Sequence, residues 1–147
     1  MNVSRTRDTT AADAIMSGVT RLFADLGQVC LAETPLANGR RADIMALSKS
    51  GVFTIIEVKS CMADFASDEK WPDYQPYCDL FYFAVDADFP SDRIPDEAGL
   101  IIADQFGGAI MRDAQSTPLA GARRKALTLK FARLAARRLM RTEGLEV

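Results

Sequence analysis

The sequence predicts an α/β domain that opens helix, strand, strand, strand, continues through a second buried strand region, and closes on a basic helix. Three observations predict it. Apolar residues at 11, 12, 15, 16, 19, 22, 23 and 26 recur with a helical period. The runs Val52 to Val58 and Leu80 to Val85 are apolar on both faces, as in central strands of a sheet covered by helices on either side. Apolar residues at 127, 131, 134, 135 and 139 form one stripe, with Lys130, Arg133, Arg137 and Arg141 on another face.

The first helix is expected from Thr10 to Leu26, with Thr9 or Thr10 as cap and Gly27 as its stop. Gln28 to Leu36 reads as a strand, ending at a turn around Pro35, Asn38 and Gly39; a second runs from Arg41 to Leu47. The turn Ser48-Lys49-Ser50-Gly51 leads into the strand Val52 to Val58. Pro72 suits the first position of a short helix reaching Cys78. Leu80 to Val85 is the next strand, Asp86 to Glu97 an acidic loop, and Gly99–Ala103 and Gly108–Met111 two short strands around a Gly107-Gly108 turn. A helix from Pro118 to Arg141 completes a mixed sheet flanked by helices on both faces. With 147 residues and 48% hydrophobic composition, one domain spanning 1–147 is expected, with 1–8 and 143–147 disordered.

Composition excludes much chemistry. Histidine is absent, which removes Ser-His and Cys-His nucleophilic catalysis and histidine metal sites. Cys30, Cys61 and Cys78 are odd in number and far apart, so they read as small buried hydrophobes rather than a disulfide framework or zinc site. No stretch suits a bilayer span and the first residues lack a signal-peptide core, so a cytoplasmic protein with no membrane partner is expected. Net charge is −2, unevenly spread: residues 1–113 carry 10 basic and 18 acidic side chains, residues 114–147 carry 8 and 2. A polyanion-facing segment on an acidic body is the implication.

Alternation places Glu57 and Lys59 on the face of Phe53 and Ile55, at the end of a buried strand. A buried carboxylate needs a cation, and Lys59, Arg41 or a metal ion could supply it. If the hairpin turns near Lys49 and Ser50, Asp43 lies opposite Glu57 and two carboxylates meet. Acidic oxygens beside a lysine suit Mg2+ or Mn2+ better than zinc. Such a site would activate water and neutralise a phosphoryl group while Lys59 orients the water or steadies the transition state.

Asp43, thirteen intervening residues, then Glu57-Val58-Lys59 in an αβββ context resembles the PD-(D/E)xK nuclease superfamily, with Ala42 where the motif's proline would stand. The strings RRADIMAL, TIIEVKS, ADFASDEKWPDY and YCDLFYFAV resemble the MmcB-like DNA repair proteins over residues 10 to 105. The resemblance implies an αβββαβ restriction-endonuclease-like core and a metal-dependent endonuclease acting in DNA repair. Asp43, Glu57 and the Val58 carbonyl would be metal ligands and Lys59 the catalytic lysine. Glu33, ten residues before Asp43, is a further candidate ligand, with Asp13 and Asp25 offered instead by the first helix. Lys70 and Tyr74 keep the spacing of the family's Q-x-x-x-Y element, with lysine in place of glutamine. Arg41, Lys70, Trp71, Tyr74, Lys130, Arg133 and Arg137 are candidate DNA contacts, Lys70 to a phosphate and Trp71 to an unpaired base.

Plainer readings stand beside these. Glu33 could pair with Arg40 or Arg41. Trp71, Tyr74 and Tyr77 could pack a helix on the sheet. The basic helix could be a solvated face. Asp64, Asp68, Asp79 and Asp104 read as caps or strand-end turns. The leading functional expectation is a Mg2+- or Mn2+-dependent DNA phosphodiesterase; the alternative is a catalytically silent accessory on the same scaffold, binding DNA or a repair protein, alone or as a homodimer.

Overall fold

The structure, a computed structural model, describes residues 3–62 and 70–147, with side chains from residue 11 onward. Its elements are α1 (Val3–Asp25), β1 (Val29–Pro35), β2 (Arg41–Leu47), β3 (Phe53–Val58), a 3-10 helix (Trp71–Tyr77), β4 (Leu80–Val85), a 3-10 turn (Ser91–Arg93), β5 (Gly99–Asp104), β6 (Gly107–Arg112) and α2 (Gly121–Thr142). All six strands form one sheet in sequence order. β1, β2 and β3 are antiparallel neighbours, β3, β4 and β5 are parallel, and β6 returns antiparallel to β5. The expected mixed sheet is present, with α/β architecture. Among the described residues no helix is long and apolar enough to cross a membrane.

Period-two alternation divides the core into two layers. On one face Ile15, Val19 and Phe23 of α1 pack on Ile44, Ile56, Tyr82, Ala84 and Ile101. On the other, Tyr74, Tyr77, Leu127 and Phe131 cover Met45, Phe53, Ile55, Phe81 and Phe83, so the 3-10 helix and α2 share that face. Gly18 lets α1 approach the β5–β6 corner so closely that a Cβ there would strike the carbonyl oxygens of Asp104 and Gly107.

Three expectations need correcting. α1 begins at Val3, so Thr9 and Thr10 lie within it instead of capping it. The short helix expected from Pro72 to Cys78 is a 3-10 helix over Trp71–Tyr77, consistent with Pro76 denying an α-helical ladder its N–H. The β5–β6 turn is Gln105-Phe106, because Asp104 Oδ1 accepts the N–H groups of Phe106 and Gly107 and holds the corner there; Gly107 and Gly108 already belong to β6. Asp64 and Asp68 lie outside the described residues.

Asp79 does far more than end a turn. It is 4% exposed, at the foot of β4. Its carboxylate accepts the N–H of Phe53 at 2.8 Å, the N–H of Leu119 at 2.9 Å and both Arg124 amino groups at 2.8 and 2.6 Å. Arg124 also donates to the Gly51 carbonyl at 2.6 Å, so one ion pair ties β3, β4, the segment before α2 and α2 itself together. Burial alone would raise the Asp79 pKa. The guanidinium and the two N–H donors outweigh it and hold the group down at about 2.

A carboxylate whose folded pKa is depressed stabilises above its unfolded value and loses that contribution as pH falls through the folded one. Stability should therefore drop between about pH 4 and pH 2, and Asp79→Asn should drop less over that window in urea titrations. Arg124→Met, which strands the buried carboxylate, should cost about 3 kcal/mol at neutral pH, with part recovered in the Asp79→Asn, Arg124→Met double variant.

Candidate metal centre

The β2–β3 hairpin turns through Ser48 and Gly51, where the Gly51 N–H bonds to the Ser48 carbonyl. Gly51 has a φ of 88°, which its missing Cβ permits. Counting back from this turn fixes the register Leu47↔Phe53 to Ile44↔Ile56, so the next facing pair is Asp43 and Glu57. Here the side chains take over from the backbone ladder. Glu57 Oε2 accepts the N–H of Asp43 at 2.9 Å, and Asp43 Oδ2 accepts the N–H of Val58 at 2.8 Å. Each carboxylate thus satisfies a main-chain donor of the opposite strand.

Glu57 is 4% exposed and Asp43 half-buried, both on the sheet face covered by the 3-10 helix. Desolvation raises the pKa of Glu57 from 4.5 to about 8; the adjacent negative charge of Asp43 and a hydrogen bond between the two carboxyl groups reinforce it. A Tyr74 hydroxyl and the Asp43 N–H bond to the carboxylate and moderate the rise. The pair therefore holds a proton near neutrality, the place a cation would take. Two abutting carboxylates offer hard oxygen donors, which fits Mg2+ or Mn2+ with several retained waters. Among the described residues no third Asp, Glu, His or Cys joins them.

Lys59 follows β3, half-buried, its N–H bonded to the Ala84 carbonyl at 2.9 Å. Alternation along the strand places it on the side of Glu57. Arg41, two residues before Asp43, is exposed. Glu33 would face Asp43 in the β1–β2 register, but the pairing skips from Ala32↔Ile44 to Thr34↔Ala42. Glu33 has a φ of 49°, alone among described non-glycine residues in being positive. Among the described residues Glu33 pairs with neither Arg40 nor Arg41, and Arg40 instead pairs with Asp73 at 3.1 Å. The Arg138 guanidinium binds the carbonyls of Ala32 at 2.6 Å and Glu33 at 3.0 Å, pinning the irregularity from α2. In the sequence Asp79 reads only as a cap or turn residue and Arg138 carries no expected role, since their partners lie 26 to 106 residues away.

The aromatic residues beside the site are committed to the core. Trp71 stacks on Phe81 at 5.3 Å and meets Phe83 edge-on at 6.0 Å; Tyr74 stacks on Phe81 at 5.7 Å. Lys70 is exposed just before them. Lys130 and Arg137 are half-buried and Arg133 exposed along α2, on the same side of the sheet as the carboxylates.

Against known proteins, the profile described as "DNA repair protein MmcB-like" matches residues 2–145. The chain belongs to the MmcB-like DNA repair protein family. No curated protein matches. Among solved structures, the SPO1766 protein of unknown function from Silicibacter pomeroyi is 41% identical, with a TM-score of 0.89 over 93% of this chain and 96% of that one. Membership of the MmcB-like family points the chain towards a DNA repair role.

Two outcomes follow for the metal-free protein. A carboxyl group whose folded pKa is raised binds its proton more tightly when folded, so its contribution is complete below about pH 4.5 and is lost as pH rises through about 8. Melting in a chelator should show this alkaline loss in wild type and a flatter profile in Glu57→Gln. Glu33→Gly should raise the unfolding free energy by about 0.5–1 kcal/mol, seen as a higher denaturant midpoint, because the left-handed backbone costs a side-chain-bearing residue more than glycine loses in a strand; a lowered midpoint would contradict strain at this position.

Proposed function

We propose that this chain is a metal-dependent DNA phosphodiesterase with a PD-(D/E)xK, restriction-endonuclease-like site, acting in DNA repair. The observation that carries the reading is the meeting of Asp43 and Glu57 across the end of the β2–β3 hairpin, with Lys59 two residues beyond Glu57. Asp43 and Glu57, with the Val58 carbonyl, would hold Mg2+ or Mn2+. Once bound, the cation would supply Lewis-acid stabilisation of phosphoryl charge and a more acidic water.

The chain's own groups supply the rest. The N–H groups of Asp43 and Val58 hold the two carboxylates in place before substrate arrives, which lowers the cost of arranging them. Tyr74 fixes Glu57 from the covering 3-10 helix. The ammonium of Lys59 orients the attacking water and offsets charge developing on the phosphate. Arg41, exposed at the edge of the site, contacts the neighbouring phosphate of the same strand.

A second reading rests on one observation: among the described residues the carboxylate group stops at two. On it the same scaffold serves repair as a silent DNA- or partner-binding accessory, alone or as a homodimer. Calorimetric titration with Mg2+ and Mn2+, joined to cleavage of plasmid and branched oligonucleotides, separates the two. Asp43→Asn and Lys59→Met should each lower cleavage by at least about a hundredfold, with Asp43→Asn also weakening metal binding and Lys59→Met sparing it. Wild type that binds metal without cutting would support the accessory reading, and cleavage untouched in both variants would remove this site from the chemistry.

A further inference from the structure

α2 carries Arg123, Arg124, Lys125, Lys130, Arg133, Arg137, Arg138 and Arg141, and no carboxylate. The structure divides these cations by use. Arg124 and Arg138 are clamps on Asp79 and on β1, Arg123 lies 4.4 Å over the Tyr77 ring, and Arg141 bonds to the Val147 carbonyl. Lys130, Arg133 and Arg137 make no ion pair or hydrogen bond among the described residues. All three line one groove of about 390 Å3 between α2 and Pro35, the last residue of β1. Its remaining surface is apolar, including Leu134 and Leu129, the latter 63% exposed.

We propose that this groove binds a single-stranded arm of DNA and leads it towards Asp43 and Glu57. This rests on the DNA reading above and specifies the substrate's form. A duplex presents phosphates on its outside and keeps its base faces stacked within. A single strand offers both phosphates and base faces, matching a groove lined by three cations and by aliphatic side chains. Direction follows from the sheet. Pro35 pairs with Arg41 across β1–β2, and Asp43 lies two residues farther along β2, about 7 Å at a strand's rise. A strand leaving the groove at Pro35 meets Arg41 and then the carboxylate pair. Arg124 and Arg138 hold the helix; Lys130, Arg133 and Arg137, which share the groove, form the track.

The test is fluorescence anisotropy of labelled oligo(dT) and of a matched duplex with the full chain, in chelator, over about 50 to 200 mM salt. The Lys130→Gln, Arg133→Gln, Arg137→Gln variant should bind the single strand at least about tenfold more weakly, with the slope of log K against log salt reduced by about 2. Wild type should prefer single strand to duplex. A charge-matched control at exposed positions elsewhere, Lys49→Gln, Arg93→Gln, Lys125→Gln, should bind as wild type does. Arg133→Gln alone should remove about 0.7 from the slope, which keeps the test intact should the triple variant fold poorly. No binding by wild type, unchanged binding by the groove variant, an equal loss in the control, or duplex bound as tightly as single strand would overturn the proposal. Because no metal is present, binding that depends on the groove stands whether or not Asp43→Asn affects cleavage.

Discussion

A single buried charge at the foot of β4 sets the terms for the rest of this protein. Desolvating the Asp79 carboxylate is unfavourable unless donors surround it, and the chain supplies them from β3, from the segment before α2 and from Arg124. That requirement fixes where α2 starts and how it crosses the sheet. Phe131 of α2 then meets Phe53 edge-on at 6.1 Å, and seven residues later Arg138 reaches the carbonyls of β1. The position it pins is the one that would face Asp43. The ion pair at one end of the sheet is thus connected, through one rigid helix, to the carboxylates at the other.

At that other end the hairpin does with side chains what it does elsewhere with backbone. Two carboxylates crowded together repel, and burial sharpens the repulsion. The N–H groups of Asp43 and Val58 and the Tyr74 hydroxyl hold them there, and a proton on Glu57 relieves the charge. Such a pair is poorly suited to ordinary structural duty, for which an apolar pair would serve as well. It is well suited to hold a small hard cation.

Much of this was legible from the sequence because it depends on short-range rules. The hairpin turn at Ser48 to Gly51 counts Asp43 into register with Glu57, and β-branched runs mark the central strands. The doubled apolar faces of β3 and β4 gave away helices on both sides. What stayed hidden depends on distance. Asp79 looks like any aspartate at a strand start until Arg124, 45 residues later, folds over it. Arg40 lies near Glu33 in sequence, yet Asp73, 33 residues on, takes it. The different surroundings of the basic residues are likewise invisible in a one-dimensional charge count, since Arg137 lines the groove beside Pro35 while its neighbour Arg138 binds the β1 backbone.

The span of the α2 clamps also bears on how the protein is made. Arg124 reaches back 45 residues to Asp79 and 73 to Gly51, and Arg138 reaches back 106 to Ala32. None of these contacts can form before α2 has been synthesised, whereas β1, β2 and β3 pair with their neighbours in sequence. A nascent chain can therefore build its β1–β3 meander early while the pinned β1 and the basic groove wait for residue 138 to be synthesised. On the ribosome the half-made protein therefore lacks the groove that Lys130, Arg133 and Arg137 line with Pro35, and this cationic surface is assembled only with the finished fold.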